Sequence, residues 1–230
     1  MSITQLTVAP ALIDQVHDRL LAAIVDGTLA PGARLTQECV AEQLGVSRQP
    51  VSHALQALKR RGLLIEHGKR GLAVAPIDAR RLIALYQVRE ALDGLAARLA
   101  AERVRDGRAS PAERREISAI VARGTGFSAN TSIAERIEAD VAFHSGIHHL
   151  SGNAAIAETV AEQWPHFMRS MGIILQDGEI RSRVWGEHAA ILAAVLAGDP
   201  IAAEARARAH TSDSGIATAR RLAMPEALSG

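Results

Sequence analysis

The stretch LTQECVAEQLGVSRQPVSHALQALKRRGLLIEHGKRGLAVA, residues 35–75, carries the punctuation of two helices followed by a basic hairpin. Thr36 stands where a helix needs an N-cap, and Val40, Ala41 and Leu44 follow at spacings of three and four. Gly45 can take the left-handed turn that ends this helix, and Val46 can fill the corner before the next one. Ser47 is the expected cap of the second helix, with Pro50 tolerated in a first turn whose amides lack intrahelical partners. Val51, Ala54, Leu55 and Leu58 form its inner face; Arg48, Gln49, Ser52, His53, Lys59 and Arg60 form its outer face. After Gly62, Leu63–Glu66 and Leu72–Ala75 are expected as short strands around the tip His67-Gly68-Lys69-Arg70-Gly71. Glycines carrying two cations suit a wing laid against phosphate.

Charge decides between a winged helix that reads double-stranded DNA and a small helical unit with a solvated basic face. Residues 28–76 hold seven Lys/Arg against three Asp/Glu, whereas residues 77–230 hold eighteen against nineteen. The surplus sits on the second helix and the wing, where DNA would lie. The expected DNA-facing set is Arg34, Thr36, Ser47, Arg48, Gln49, Ser52, His53, His67, Gly68, Lys69 and Arg70. Arg48 is the best guanine reader among them, because its fork matches the two acceptors of that base.

A chain of 230 residues with 48% apolar but only 3% aromatic side chains can bury a real core and favours packed helices over sheets. Cys39 is the single cysteine, so a disulfide framework within the chain is excluded, in keeping with a reducing compartment. Residues 1–20 show no continuous apolar core behind a cationic start, and a cytoplasmic location is expected. The longest apolar run, Ala189–Ala197, falls short of the about twenty residues that cross a bilayer.

The remainder reads as helices. Pro76 closes the wing, and Asp78 can cap a long helix to about Arg105. Ser110-Pro111-Ala112-Glu113 has capping-box spacing, a third helix follows Asn130 and runs to Leu150, and Asn153 can cap a fourth, kinked at Pro165. Gly178 precedes the fifth, and Gly198-Asp199-Pro200 opens the sixth. The expected architecture is mostly α: a winged helix-turn-helix over residues 1–76 and a six-helix bundle over residues 77–230.

Charged groups interrupt the apolar stripes of that bundle. Ile133, Ile137, Val141 and Ile147 recur at helical spacing, with Asp140 and His144 one turn apart on the same face. His188 sits within the stripe Val184, Ile191 and Val195, and His210 follows on the last helix. Such groups cost several kcal/mol if buried without partners. A divalent cation can collect them, zinc above all, with nickel or manganese as further candidates. The alternative is ordinary core hydrogen bonding, with Asp140 and His144 paired to each other and His148 competing on the same stripe.

Residues 12–75 resemble the amino-terminal domain of GntR-family bacterial transcription regulators. The carrying residues are Ile24, Gly27, Leu29, Pro31-Gly32, Leu35, Leu44-Gly45-Val46-Ser47-Arg48, Pro50-Val51, Ala54-Leu55, Leu58, Gly62-Leu63 and Gly71. Where the family usually has Arg-Glu after the Pro-Val pair, this chain has Ser52-His53, which leaves Gln49 and His53 to read bases differently. Residues 78–221 are similar to the FCD effector-binding bundle of the FadR branch, through Tyr86-Gln87-Val88-Arg89-Glu90-Ala91-Leu92-Asp93, Phe143-His144, Ser151-Gly152-Asn153, Glu187-His188 and Ala209-His210. The six-helix count resembles the shorter, VanR-like group. The resemblance implies a metal held by Asp140, His144, His188 and His210, and a small organic acid as effector. Arg89, Arg136 and Asn153 are the candidates for holding that acid. It further implies a homodimer on a near-palindromic operator, acting as a repressor and not as an enzyme. Rival readings are a metallohydrolase-like protein, a structural metal, or a sensor of the metal itself.

Overall fold

Thr36 and Gly45 act as their chemistry demands. In the computed structural model, which describes residues 12–68 and 71–223, the Thr36 hydroxyl accepts from the Cys39 amide at 3.2 Å. Gly45, at φ +66°, ends the helix in the left-handed region that a side chain would strain. Contacts divide the chain into two units, Met1–Ile77 and Asp78–Gly230.

The first unit runs α1 (Leu12–Val25), β1 (Arg34–Leu35), α2 (Gln37–Leu44), α3 (Arg48–Arg60), β2 (Leu64–His67) and β3 (Gly71–Val74). The two expected strands pair antiparallel with Leu64 opposite Val74, and Arg34–Leu35 adds a short third strand in the order β1-β3-β2. Val16, Leu20 and Ile24 of α1 bury against Val40, Val51, Leu55, Leu58, Leu63 and Val74. Each such side chain contributes about 1.5–3 kcal/mol of transfer free energy, and together they leave the other face of α3 to solvent. Ser47 occupies the N-cap in extended conformation, but its hydroxyl makes no capping hydrogen bond. Pro50 stands at the third helical position and has no amide hydrogen for it to accept.

Every regular element among the described residues of the second unit is a helix: α4 (Ala79–Arg105), α5 (Pro111–Thr125), α6 (Ile133–Leu150), α7 (Ala154–Ala161), α8 (Trp164–Ile174), α9 (Gly178–Leu196) and α10 (Pro200–Ala223). Asp78 caps α4, and reciprocal capping boxes start α5 at Ser110/Glu113 and α6 at Ser132/Glu135. The single kinked helix expected after Asn153 is instead two, so the bundle has seven helices here where six were expected. The reason is Pro165: a continuous helix would press its ring on the carbonyl of Ala161, and α7 ends at that residue. Ala96, Ala97, Ala100 and Ala101 of α4 let helices approach closely around Phe143, Ile147, Val195, Ala203 and Ala207. At Gly124, α5 comes so near α9 that a Cβ there would overlap the Trp185 ring. No helix among the described residues is long and apolar enough to cross a membrane.

Candidate metal centre and nucleic-acid interface

Four helices contribute one surface each to a buried polar knot. On α6, Asp140 and His144 share a face because they lie one turn apart, and α9 and α10 bring up His188 and His210. One ring nitrogen from each of His144, His188 and His210 lies within 4.8 Å of the others, and all three residues are buried. The Nε2 atoms of His188 and His210 are 3.1 Å apart. Asp140 Oδ1 lies 3.6 Å from His188 Nε2, and its Oδ2 lies 3.8 Å from His144 Nε2. Ligand atoms about 2.1 Å from a common ion lie roughly 3.0–3.4 Å apart, so these separations are near what one cation requires.

The far sides of His144 and His210 are held as a metal ligand's would be, whereas His188 Nδ1 is buried without a hydrogen-bond partner. His144 Nδ1 faces Asp93 Oδ2 at 3.4 Å, and His210 Nδ1 faces Glu187 Oε2 at 2.8 Å. A carboxylate on Nδ1 keeps the proton there and turns the Nε2 lone pair inward. His188 stacks on Phe143 with ring centroids 4.0 Å apart. His144 Nε2 is fully buried and has no hydrogen-bond partner, a costly arrangement for a core histidine and a natural one for a ligand. Burial, with Arg89 nearby, pushes His144 down to about 3, and burial with its two neighbouring imidazoles holds His188 well below its ordinary value. Both rings are therefore neutral at pH 7. Burial pushes the Asp140 carboxyl up, the response of an anion without enough compensating charge. Three imidazoles and one carboxylate suit zinc and similar divalent ions.

Beside this cluster is a cavity of about 30 Å³ whose lining includes Tyr86, Arg89, Asp140, His144, His210 and Thr211. At roughly 10–15 Å³ per enclosed water, it holds two or three water-sized groups. Arg89 is buried, and its guanidinium carbon sits 4.6 Å from the Trp164 ring centroid and 4.9 Å from that of Phe167. Its Nε donates to Asp93 Oδ2 at 3.1 Å, so that bond does not occupy the two terminal nitrogens of the fork. Arg136 and Asn153 are not brought to this place. Arg136 donates to the carbonyls of Thr131 and Ser128 and stacks on Phe127, tying down the segment before α6. Asn153 stands at the N-cap of α7, where its amide donates to Ser151 Oγ at 3.1 Å. His148 also stays out of the cluster, with Nε2 2.7 Å from Asp93 Oδ1.

Asp93 is the group the sequence reading passed over. Arg89, His144 and His148 converge on its carboxylate, and the Thr211 hydroxyl donates to it at 2.8 Å. Burial alone would raise this carboxyl, but Arg89 with the two imidazoles more than offsets it and holds Asp93 well below the usual range. The available signal was its place one turn beyond Arg89 on the buried face of α4.

In the first unit, Ser47, Arg48, Gln49 and His53 are exposed on the opening turns of α3, with Ser52 half-buried among them. Arg48 Nη1 donates to Glu38 Oε1 at 2.9 Å, both side chains being about two-thirds exposed. Such a pair is worth no more than about 1 kcal/mol and yields readily to a stronger anion. Ser52 Oγ accepts from Gln37 Nε2 at 3.2 Å. Arg34 is exposed on β1, while the Thr36 hydroxyl is committed to its cap. His67 and Gly68 are exposed at the hairpin tip; Lys69 and Arg70 lie outside the described residues. Lys59 Nζ pairs with Glu66 Oε1 at 2.6 Å, joining α3 to β2.

Two family models match the chain. One, described as bacterial regulatory proteins of the gntR family, covers residues 12–74, and the FCD domain covers residues 84–213. An uncharacterized HTH-type transcriptional regulator in an unstable DNA locus of Streptomyces ambofaciens is 30% identical over 201 residues, spanning 85% of this chain and 80% of that protein. The HTH-type transcriptional regulator McbR of Escherichia coli K12 is 26% identical over 188 residues, spanning 80% and 82%. The solved structure of E. coli McbR/YncC matches with a TM-score of 0.76 at 24% identity, covering 94% of this chain and 99% of that one. A putative transcriptional regulator GntR from Rhodococcus sp. RHA1 matches at 0.75 and 22%, covering 90% and 97%.

Proposed function

This chain belongs to the gntR family of bacterial transcription regulators that carry an FCD domain, and from that premise we propose that it is a homodimeric repressor released from its operator by a small organic acid. The acid would bind at a divalent metal, most naturally zinc with nickel or manganese as alternatives, held by Asp140, His144, His188 and His210. The observation that carries this reading is the unpartnered Nε2 of buried His144, turned toward the other two imidazoles in a cavity that Arg89 also lines.

The protein side of such a site divides its labour. Asp93 and Glu187 fix the His144 and His210 tautomers, and Arg89 offers a bidentate fork to a carboxylate. A bound divalent ion would supply open coordination positions for the same carboxylate. The acid can change operator affinity only by as much as its affinity differs between the DNA-competent and released arrangements. On the DNA side, the exposed start of α3 would enter the major groove, and each copy in a dimer would read a half-site about one helical turn from the other. Arg48 would read guanine, and the wing with Lys69 and Arg70 would hold the backbone. The relatives and structural neighbours are regulators, so the hydrolase alternative is not favoured.

The test combines two variants. Arg48→Ala should abolish specific retardation of operator DNA while leaving the melting temperature within about a degree, since an exposed side chain adds little stability. His188→Ala should remove most of the bound metal measured by plasma mass spectrometry. Unchanged metal stoichiometry would end the metal proposal, and intact operator binding by Arg48→Ala would end the assignment of α3 as the reading helix.

A further inference from the structure

Resting on the reading of this cavity as the effector site, we infer that the effector is a small monocarboxylate with a short apolar body, as opposed to a dicarboxylate or a polyhydroxy acid. Two features of the cavity lead there. The first is its wall. Besides polar groups such as Arg89, Asp140, His144 and His210, the lining holds an apolar set: Met171 and Ile174 of α8, Leu175 just after it, and Ile180 and Val184 of α9. A hydroxyl or second carboxylate turned to that set would lose its water without gaining a hydrogen bond. Thr211 lies among the polar lining, but its hydroxyl already donates to Asp93.

The second feature is charge. Arg89 and Arg183 are the cationic side chains among the described residues lining the cavity, and each is already balanced. Arg89 pairs with Asp93 at 3.1 Å, and Arg183 Nε donates to Glu187 Oε1 at 3.0 Å. A dication and two arginines set against Asp93, Asp140 and Glu187 leave a single positive charge. One carboxylate neutralises it. A second would have no cation of the site left to balance it.

Calorimetric titration of the zinc-loaded full chain with propionate, isobutyrate, succinate and gluconate at matched ionic strength tests this. Isobutyrate or propionate should bind at least tenfold more tightly than succinate or gluconate. Equal or tighter binding of succinate or gluconate overturns the inference while leaving the cavity as the effector site. Binding of none of the four to protein that retains its zinc overturns the effector reading as well. Ile180→Arg, which sets a cation at the half-buried edge of the apolar wall, should bring succinate to within a few-fold of isobutyrate. An unchanged ratio in that variant would mean the ligand body does not meet this wall, and overturns the inference.

Discussion

Asp93 is a buried carboxylate with four side chains turned onto it, and three of them, Arg89, His144 and Thr211, also line the cavity. Asp93→Asn keeps the shape and removes the charge, leaving Arg89 buried without its counter-ion. Breaking one partner of such a pair costs about 3–5 kcal/mol, and loss of the group that orients His144 should weaken metal binding about ten- to hundredfold. Chelator competition measures the second effect separately from the melting temperature, and unaltered metal affinity would refute the orienting role. The imidazoles also make a pH prediction. His144 sits near 3 when folded against an ordinary 6.5. Between those values the unfolded chain takes up a proton that the folded chain refuses, so stability rises with pH across the window and is lost as pH falls. His188 adds in the same sense; Asp140, raised by burial, works against both. Protein stripped of metal should lose about 1 kcal/mol or more on going from pH 6.5 to 5.5, and His144→Gln should flatten that slope in equilibrium denaturation.

Among the elements, α3 shows how a local exception frees chemistry. Proline at its third position removes the amide that an N-cap serine normally serves, and the Ser47 hydroxyl is left at the exposed end of the outer face. Pro165 acts differently: near the start of α8 it stops α7 at Ala161 and turns the chain, so that Trp164 and Phe167 come to lie against Arg89. The pairing of α5 with α9 depends on Gly124, where the Trp185 ring occupies the space a methyl would need. Gly124→Ala should destabilise the second unit by about 1–3 kcal/mol through overpacking and shift Trp185 emission. Wild-type stability in that variant would show that the two helices separate freely, contrary to the close approach described.

For the whole molecule, the two units carry separate cores, and both tryptophans, Trp164 and Trp185, belong to the second. Tryptophan emission therefore reports unfolding of the second unit, which carries the candidate metal centre. A metal present at about a thousandfold over its dissociation constant adds roughly 4 kcal/mol to the state that binds it. Chelation should lower the tryptophan-detected melting temperature while a minor helical transition of the first unit keeps its temperature in circular dichroism; a single transition that shifts as a whole would contradict separate stabilities. Much of this organisation was legible along the chain. Caps, glycine corners and apolar periodicity act over a few residues, so the helix pair, its hairpin, the outer face of α3 and the shared face of Asp140 and His144 could be read directly. Arg136 stands second to Arg89 as a candidate by the same local logic, since it lies one turn before Asp140 on the same stripe. What separates them is which neighbour each guanidinium reaches: loop carbonyls for Arg136, Asp93 and two aromatic rings for Arg89. The convergence of α4, α6, α9 and α10 on one point, and the place of Asp93 at its centre, arise only from packing. Periodicity specifies the face a residue occupies but not the face that meets it across the bundle.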